Sequence, residues 1–272
     1  GMGVLREESG RDFSLTPAGE LLRTDHPESL AGWAEFVGLP YHWQAWGDLL
    51  HSVKTGETGF EHNFGIDVWN YRAQHPELSA GFDRAMASNT RQVVASVVDA
   101  YDFGRFSKIT DVGGGNGALL AAILDRHPQL QGVLFDQPHV VSGAGDVLRE
   151  AGVADRCQTV GGSFFEGVPP GSDAYVLKSI IHDWDDERSI EILSVCRRAM
   201  EPGTTLLLVE RDLGAANERP EPKLSDLNML VMTSGMERTA EEYAAIYGSS
   251  GFRFTGVTPT SSGIGIFEGE AV

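Results

Sequence analysis

Short apolar runs alternate with amphipathic stretches from about residue 108 onward. One amphipathic stretch places Leu120, Ile123 and Leu124 on one face, as a helix does. The apolar runs predict strands at roughly residues 108–112, 132–136, 157–161, 173–178 and 204–210. The amphipathic stretches predict helices at roughly residues 117–127, 139–151, 185–200 and 239–249. Strands that alternate with helices indicate an α/β fold with a doubly wound, Rossmann-like parallel sheet.

Two further strands, at roughly residues 252–258 and 263–268, follow this alternating part of the chain. The four residues from Pro259 to Ser262 separate them, too few for the crossover helix that parallel neighbours need. We therefore expect the two strands to pair antiparallel. A parallel sheet that ends in such a hairpin is typical of methyltransferases rather than dehydrogenases, and we expect it to form one domain over residues 104–272.

The N-terminal part of the chain has a different pattern. Residues 4–15 contain two short β-type segments around a polar turn, and Thr16 and Pro17 follow as the N-cap and first residue of a helix. Such a hairpin with its capped helix is typical of the wing of a winged-helix domain, although the helices that precede a wing are not in this sequence. Residues 26–103 are mostly helical by pattern. We expect residues 1–103 to form a partial winged-helix, helical region that dimerises and covers the substrate.

A wing either binds DNA or serves as a structural, dimerising element. Residues 1–25 carry three arginines against five carboxylates, and a negative wing is a poor reader of DNA. Four aromatic residues supply more apolar surface than a small helical region can cover: Trp33, Phe36, Trp43 and Trp46. We therefore expect a homodimer that forms through the N-terminal region.

Composition excludes several classes of partner. The 272 residues carry a formal net charge of −18, which disfavours nucleic acid and anionic membrane surfaces. The sequence contains neither an apolar run of membrane-spanning length nor a recognisable signal peptide. Its two cysteines, Cys157 and Cys196, have neither metal-site spacing nor a disulfide framework. These features predict a cytoplasmic protein.

Four glycines follow the first predicted strand of the sheet, within the segment Asp111 to Gly117. Glycine has no Cβ, so such a turn lets a ligand approach bare backbone, and the N–H groups of the next helix point into the same space. The spacing Gly113-x-Gly115-x-Gly117 differs from the G-x-G-x-x-G spacing of dinucleotide-binding folds. The next strand ends in Asp136, at a position where an acid commonly accepts hydrogen bonds from ribose hydroxyls. The turn and the acid together predict a nucleoside-containing cofactor.

The fourth predicted strand leads to Lys178, His182 and Trp184, at the edge where open α/β sheets bind ligands. His182 is the predicted general base, because an imidazole with a pKa of about 6.5 accepts protons near neutral pH. Two carboxylates stand at suitable places, Glu210 at the end of the fifth strand and Glu237 just before a helix. A carboxylate bonded to the ring would fix its tautomer and stabilise the imidazolium.

The acidic residues after His182 have a second interpretation. His182, Asp183 and Asp185 are of metal-ligand type, but no further ligand spacing supports a metal site. Asp185 and the two acids after it fit the first turn of a helix, where they would cap it and complement its dipole. We therefore predict that no metal is bound.

Six segments occur in a fixed order: Asp111 to Gly117, Phe135 to Pro138, Gly162 to Phe165, Lys178 to Asp186, Glu237 to Thr239, and Gly251 to Phe252. As an ordered set they resemble the S-adenosylmethionine-dependent O-methyltransferases of the caffeate/acetylserotonin type. That family includes bacterial enzymes that methylate antibiotic polyketides. The resemblance covers the chain from about Phe60 onward. It implies S-adenosylmethionine as the methyl donor, S-adenosylhomocysteine as the product and a reaction that needs no metal.

The resemblance also implies roles for the matched positions. Cofactor contacts are expected from Gly113, Gly115, Gly117, Asp136, Gln137, Ser163, Phe164, Lys178 and Trp184. His182 is the implied base, with Glu210 and Glu237 as its carboxylate partners. The acceptor is expected to lie against Met86, Asn89, Asp183, Met229 and Met232. Many relatives carry an aspartate at the position of Ser163, so here the adenine amino group has one charged acceptor fewer.

We expect methyl transfer from S-adenosylmethionine to a hydroxyl of a small aromatic or polyketide-type natural product. The cofactor's own charge activates the methyl group, so the protein aligns the reacting atoms and removes a proton. Three alternatives stay open. An NAD-dependent oxidoreductase is disfavoured by the glycine spacing and the terminal hairpin. A methyltransferase-like protein that catalyses hydroxylation or decarboxylation is disfavoured by the presence of His182, Glu210 and Glu237. A winged-helix regulator is disfavoured by the negative charge.

Overall fold

The computed structural model describes residues 2–272, and its N-terminal part is helical apart from one hairpin. Strands β1 (Leu5–Glu7) and β2 (Phe13–Leu15) pair antiparallel, and Thr16 caps the next helix by accepting a hydrogen bond from the backbone N–H of Gly19. The helices of this part are α1 (Pro17–Glu20), α2 (Ala31–Val37), α3 (Pro40–Gly47), α4 (Leu49–Thr55), α5 (Gly59–Phe64), α6 (Val68–Ala73) and α7 (Pro76–Ala100). The predicted hairpin and helix cap are confirmed, whereas the winged-helix assignment stays a prediction.

Within residues 2–272, a seven-stranded sheet follows the helical part. Its strands are β3 (Lys108–Val112), β4 (Gln131–Asp136), β5 (Cys157–Gly161), β6 (Ala174–Lys178), β7 (Thr205–Arg211), β8 (Phe252–Pro259) and β9 (Ile264–Ala271). The spatial order is β5-β4-β3-β6-β7-β9-β8, and β9 runs antiparallel to both β7 and β8. The predicted doubly wound sheet with a C-terminal antiparallel hairpin is confirmed. The strand order reverses between β3 and β6, which opens a crevice beyond their carboxyl ends.

The helices that accompany the sheet are α8 (Ala118–Arg126), α9 (Pro138–Val141), α10 (Gly145–Glu150), α11 (Asp186–Arg198), α12 (Pro220–Met232) and α13 (Ala240–Ser249). The predictions for α8, α11 and α13 agree with the structure to within two residues at each end. The single helix predicted at 139–151 is wrong, because the chain breaks it into α9 and α10 at a turn that contains Gly143. No prediction covered α12.

Three clusters of buried apolar side chains hold these layers together. One packs α7 and α8 against one face of the sheet, and another packs α11 and α13 against the other face. The third contains Phe36 and Phe60 of the N-terminal helices together with Met232 of α12. Helix α12 therefore follows β7 in the chain but shares a core with the N-terminal helices. The division at residues 103 and 104 stays a prediction, and the two parts meet through this shared core.

Helix α7 connects the N-terminal helices to the sheet. It is 25 residues long and buries Ala85, Val93 and Val97 on its inner face. The charged residues of this helix are exposed, as expected for an amphipathic helix. None of the helices described for residues 2–272 combines the length and apolar character that crossing a membrane would require.

Candidate active site

A cavity of about 1200 Å³ lies beyond the carboxyl ends of β3, β4 and β6. A pocket for one small ligand usually has roughly 300–1,000 Å³, so this cavity has room for two small molecules. Its wall brings together most of the predicted site residues, namely Met86, Asn89, Gly113, Gly115, Asp136, Gln137, Ser163, Phe164, Lys178, His182, Asp183, Trp184, Met229 and Met232. Gly117, Glu210 and Glu237 are buried and lie outside this wall.

The glycine turn forms the part of the wall that follows β3. Gly113, Gly115 and Gly117 have φ values of 70°, 60° and 83°, a left-handed conformation that glycine adopts without strain. A Cβ added at Gly115 would meet no atom within 4 Å, whereas one at Gly113 would lie 2.5 Å from Cδ1 of Ile180. Gly115 is thus the point at which bare backbone faces open space. Gly117 serves the turn instead, as the buried N-cap of α8.

Asp136 ends β4 beside the glycine turn. Its Oδ2 accepts a hydrogen bond from the backbone N–H of Gly115 at 2.8 Å, and its Oδ1 accepts one from the N–H of Gln137 at 2.6 Å. Burial raises the pKa of Asp136, and these two N–H groups oppose that shift. Each carboxylate oxygen has a second lone pair, so Asp136 keeps the capacity to accept hydrogen bonds from ribose hydroxyls.

His182, Glu210 and Glu237 form a compact cluster at the cavity wall. The Nδ1 atom of His182 lies 3.2 Å from Oε1 of Glu237 and 3.5 Å from Oε2 of Glu210. The two glutamate side chains are fully buried, while the His182 side chain retains 15% of its exposure. Because Nδ1 faces the carboxylates, Nε2 is the ring nitrogen that remains for a ligand in the cavity. The structure therefore brings the predicted base and its predicted carboxylate partners together.

Donors from neighbouring segments hold both carboxylates in place. Oε1 of Glu210 accepts hydrogen bonds from the backbone N–H groups of Ile180 and Ile181, at 2.9 and 2.8 Å. Oε1 of Glu237 accepts one from the hydroxyl of Ser225 on α12, at 2.6 Å. The Oε2 atoms of Glu210 and Glu237 have no hydrogen-bond partner. This arrangement concentrates negative charge beside the imidazole.

The cluster favours a protonated imidazole. Burial by itself lowers the pKa of a histidine, but Glu210 and Glu237 outweigh it and raise the pKa of His182 to about 10. Burial also opposes the charged form of Glu237, yet the imidazolium holds the pKa of Glu237 below its usual value. A histidine must be neutral, that is deprotonated, to act as a general base. His182 therefore becomes a base only as the pH rises or as positive charge comes close to it.

The same three residues are, within residues 2–272, the group whose metal-ligand atoms all lie within 4.8 Å of one another. The contacts account for the cluster without a cation, since the imidazolium itself lies between the carboxylates. Asp185, weighed in the sequence as a metal ligand, is instead the N-cap of α11 and accepts a hydrogen bond from the N–H of Arg188 at 2.8 Å. The absence of a metal from the reaction stays a prediction.

Arg238 is a fully buried residue to which the sequence reasoning gave no role. Its Nη1 donates to the carbonyl of Ile181 at 3.1 Å, and its Nη2 donates to the carbonyl of Trp184 at 2.9 Å. Its Nε and Nη2 also reach Oδ1 of Asp186, at 3.0 and 2.8 Å. The guanidinium thus bonds the backbone on both sides of His182. The motif that contains Glu237 also contains Arg238, but nothing in the sequence distinguishes it from a surface arginine.

Lys178 ends β6 and lies in the cavity wall near the glycine turn. Burial lowers the pKa of Lys178, and the carboxylate of Asp111 opposes that shift. Burial raises the pKa of Asp111 to about 7, and its Oδ2 has no hydrogen-bond partner. The ammonium group is therefore only partly compensated, which suits attraction of an anionic ligand group.

Trp184 joins the sheet to the N-terminal helices. Its ring stacks on that of Trp69 in α6, with centroids 5.7 Å apart and an angle of 22° between the planes. Phe165 meets the Trp184 ring edge-on at 4.9 Å, and Phe164 does so at 6.4 Å. Ser163 supports this corner by accepting a hydrogen bond from the N–H of Phe165 at 3.3 Å. Trp69 is a further wall residue that the sequence predictions did not include, although the aromatic-rich stretch at residues 60–71 could have indicated it.

Methionines line the part of the cavity formed by α7 and α12. Met229 and Met232 of α12 are nearly buried and share this wall with Met86 and Asn89 of α7. Thioether side chains are flexible and polarisable, so they adapt to the face of a flat ring. Burial raises the pKa of Asp183, in the same wall, to about 6. The predicted acceptor-side residues are therefore all neighbours of one cavity.

The fold and the site together define a class of protein. A parallel sheet with an antiparallel terminal hairpin, a glycine turn beside an acid and a histidine beside carboxylates are typical of S-adenosylmethionine-dependent methyltransferases. The family model for the O-methyltransferase domain matches residues 46–253, and the chain belongs to this family. Its predicted membership is thereby confirmed.

Known proteins resemble this chain over its whole length. The phenazine O-methyltransferase PhzM of Lysobacter antibioticus is 47% identical over 271 residues, which is 100% of this chain and 79% of that protein. The crystal structure of LaPhzM, also 47% identical, matches with a TM-score of 0.95 and covers 100% of this chain and 81% of its own. NcsB1, an O-methyltransferase from neocarzinostatin biosynthesis, was solved with S-adenosylhomocysteine and 1,4-dihydroxy-2-naphthoic acid. It is 31% identical, with a TM-score of 0.85 over 99% of this chain and 81% of its own. The present chain is an S-adenosylmethionine-dependent O-methyltransferase.

Proposed function

We propose that this enzyme methylates a hydroxyl group of a small aromatic or polyketide-type natural product, with His182 as the general base. The observation that carries the proposal is the His182 ring, held 3.2 Å from Glu237 at the wall of a cavity with room for two molecules. The relative named for phenazine and the neighbour solved with a dihydroxynaphthoic acid support a flat aromatic acceptor.

The residues around the glycine turn fit S-adenosylmethionine. The bare backbone at Gly115 leaves open space where a Cβ would stand, and Asp136 has lone pairs for the ribose hydroxyls. Phe164 and Trp184 would flank the adenine, and Lys178 would attract the carboxylate of the methionine end. Gly113, Gly117, Gln137 and Ser163 complete the proposed set around these contacts. When bound, the cofactor supplies a methyl group that its sulfonium charge activates.

His182 holds and moves the proton in this mechanism. Its Nδ1 stays bonded to Glu237, which fixes the tautomer, so Nε2 accepts the proton of the acceptor hydroxyl. Glu210 and Glu237 then stabilise the imidazolium until its proton passes to water. Positive charge brought close to the ring would work against the raised pKa and make the imidazole available as a base.

The acceptor side of the cavity positions the reacting oxygen. Met86, Met229 and Met232 would pack against the acceptor ring, and Asn89 and Asp183 would offer polar contacts at its edge. Alignment of oxygen, methyl carbon and sulfur can supply much of the rate, since correctly oriented reactants reach effective molarities of about 10⁵–10⁸ M.

Single-turnover methyl transfer from labelled S-adenosylmethionine to phenolic probes, such as 1,4-dihydroxy-2-naphthoate and 1-hydroxyphenazine, tests the proposal. We expect label in an O-methylated product, formed equally well without oxygen, and thermal protection by S-adenosylmethionine but not by NAD. An oxygen-dependent hydroxylated product, decarboxylation or protection by NAD alone would contradict it. Salt-sensitive DNA binding would instead favour the regulator.

The proposal includes a homodimer that forms through the N-terminal region. The aromatic surface predicted there is only partly present, because Phe36 and Trp46 pack into the third core cluster. Trp33 and Trp43 remain 37% and 68% exposed, and Leu50 on the next helix is 65% exposed. Light scattering at micromolar concentration tests the dimer, and a monomer mass would contradict it.

The predicted cytoplasmic location, without nucleic-acid or membrane partners, rests on the net charge of −18 and is tested by cell fractionation.

A further inference from the structure

Arg72 is a charged residue in the wall of the active-site cavity, and the mechanism above does not use it. It lies on α6 and is only 5% exposed. Its Nε and Nη1 atoms are buried and have no hydrogen-bond partner among residues 2–272. A guanidinium group stays charged in proteins and presents five N–H donors in one plane. A buried guanidinium with two nitrogens that lack hydrogen bonds is unfavourable, so this side chain is poised for an acceptor of hydrogen bonds.

Aromatic rings surround the Arg72 guanidinium. Its Cζ atom lies 3.9 Å from the ring centroid of Phe82, 5.2 Å from that of Trp69 and 5.5 Å from that of Phe36. Such cation–π contacts stabilise part of the charge. Ring faces do not satisfy the N–H donors that lie in the plane of the guanidinium. The contacts therefore hold the group in place and leave its hydrogen-bonding capacity open.

Two neighbouring polar groups also lack partners. Nδ1 of His42, in the cavity wall, and the hydroxyl of Tyr41 are buried without a hydrogen bond. Both rings pack against Phe36, at centroid distances of 5.2 and 6.5 Å. Burial, with Arg72 adding to it, lowers the pKa of His42 to about 4, so this imidazole is neutral at physiological pH. This side of the cavity thus holds one fixed positive charge and one neutral imidazole, and the neutral hydroxyl of Tyr41 lies behind them, outside the wall.

The carboxylates around Arg72 compensate its charge incompletely. Burial lowers the pKa of Arg72, while Tyr41 and the two cavity carboxylates, Asp183 and Asp83, oppose that shift. Neither carboxylate hydrogen-bonds to Nε or Nη1 of Arg72. Burial raises the pKa of Asp183 and of Asp83, which means that it disfavours the ionised form of each carboxyl group. A further anion, brought into the cavity by a ligand, could hydrogen-bond to the guanidinium as these two carboxylates do not.

We propose that Arg72, assisted by His42, forms a subsite for a carboxylate group carried by the aromatic acceptor. Arginine binds carboxylates through two parallel N–H···O bonds, and this subsite would orient the acceptor ring as well as hold it. The inference rests on the proposed function and narrows its substrate class to aromatic hydroxy acids. The naphthoic acid solved in the complex with NcsB1 belongs to this chemical class.

Equilibrium binding of two probes tests the subsite without turnover. The probes are 1-hydroxy-2-naphthoate and 1-naphthol, which differ only in the carboxylate, titrated by calorimetry into the enzyme saturated with S-adenosylhomocysteine. We expect the wild-type enzyme to bind the acid roughly 10- to 100-fold more tightly, as for hydrogen bonds to a charged group. Arg72→Leu should reduce this ratio to within about threefold, and Arg72→Lys should retain part of it, because lysine keeps the charge without the fork.

The matched control is Arg84→Leu, which removes an exposed arginine that lies outside the cavity wall. It should leave the ratio of the two affinities unchanged. A wild-type enzyme that binds both probes equally, or a carboxylate preference that survives Arg72→Leu, would overturn the subsite. If Arg72→Leu does not fold, Arg72→Gln and Arg72→Lys replace it in the test. A ratio of the affinities for the two probes that is unchanged in both variants overturns the proposal.

These titrations, together with methyl-transfer assays on the same two probes, separate this inference from the proposed function. Methyl transfer to 1-naphthol without any carboxylate preference in binding would leave the methyltransferase reaction in place and remove the subsite. A strong carboxylate preference that depends on Arg72, with neither probe methylated, would keep the subsite and count against the proposed acceptors. The affinity for S-adenosylhomocysteine should stay within about threefold in Arg72→Leu, because Arg72 is not one of the proposed cofactor contacts.

Discussion

The Nδ1 atom of His182 and the Oε1 atom of Glu237 lie 3.2 Å apart, although the two residues are 55 positions apart in the chain. His182 lies on the turn after β6, and Glu237 lies before α13. With Glu210, this contact raises the pKa of His182 from 6.5 to about 10, against the effect of burial. A histidine whose pKa is higher in the folded state stabilises the fold below its unfolded pKa, and that contribution is lost as the pH rises through about 10.

The first prediction concerns His182→Ala. Methyl transfer should fall by roughly 10²–10⁴, the range usual for the loss of a general base, while the affinity for S-adenosylmethionine stays within about threefold. The defect should shrink as the pH approaches the pKa of the acceptor, because the oxygen then ionises without help. Single-turnover transfer across pH, with saturating cofactor, measures it. His62→Ala, at an exposed histidine outside the cavity wall, is the control, and near-full rate in His182→Ala at neutral pH would refute the assignment.

The second prediction concerns the pH profile. His182 must lose its proton to act as a base. The rate should therefore rise with pH, and the raised pKa of His182 sets the position of this rising limb of the pH–rate profile. Glu237→Gln removes one of the two carboxylates that raise this pKa, and the limb should move to lower pH by roughly one unit or more. The rate above the limb should also fall, since the imidazolium has less support.

The control for this shift is Glu241→Gln, which changes an exposed glutamate in the first turn of α13. It should leave the pH profile in place. A limb that stays where it is in Glu237→Gln, or moves to higher pH, would show that Glu237 does not act on His182 in the way its position implies.

The fold followed from the sequence where local pattern and tertiary environment agree. Short stretches with β-branched residues predicted β3 and β5 with their observed bounds, because strands within a doubly wound sheet are short and end at turns. Helix α12 was missed because its apolar side packs on the N-terminal helices rather than on the sheet. Met229 and Met232 were recognised there only as ligand contacts. The apolar face of α12 packs against the N-terminal helices, and the order of elements in the sequence does not indicate that contact.

The candidate site followed from the sequence less completely. His182 and Glu210 were expected together, because strand ends of a parallel sheet share one edge. Arg238 and Arg72 were not recognised, since charged residues are usually exposed and only packing reveals a buried one. Arg238 is buried because carbonyl groups of the 181–184 turn surround it, and Arg72 because three aromatic rings do. Neither arrangement has a spacing signature in the chain.

The third prediction concerns the glycine turn. Gly115→Val would place a branched side chain in the open space beside the turn and at a φ of 60°, which valine rarely adopts. We expect the affinity for S-adenosylmethionine to fall at least about tenfold, measured by calorimetry, with the fold intact. Gly152→Val is the matched control, because Gly152 has a φ of 67°, equally open surroundings and no place in the cavity wall. Unchanged affinity in Gly115→Val would remove the turn from the cofactor site.

The last prediction concerns Arg238, which bonds the carbonyls of Ile181 and Trp184 on both sides of His182. Arg238→Lys keeps the charge but loses the planar fork, so several buried carbonyls lose their donors. We expect unfolding to become easier by about 3 kcal/mol, and the rate to fall at least tenfold. If Arg238 positions His182, the acid limb of the pH profile must also shift, because the ring moves relative to its carboxylates.

The control for this prediction is Arg253→Lys, which changes an arginine in an exposed ion pair with Glu270. It should change the free energy of unfolding by less than about 1 kcal/mol and leave the pH profile unchanged. A destabilised Arg238→Lys enzyme with an unchanged pH profile would limit this residue to a structural role.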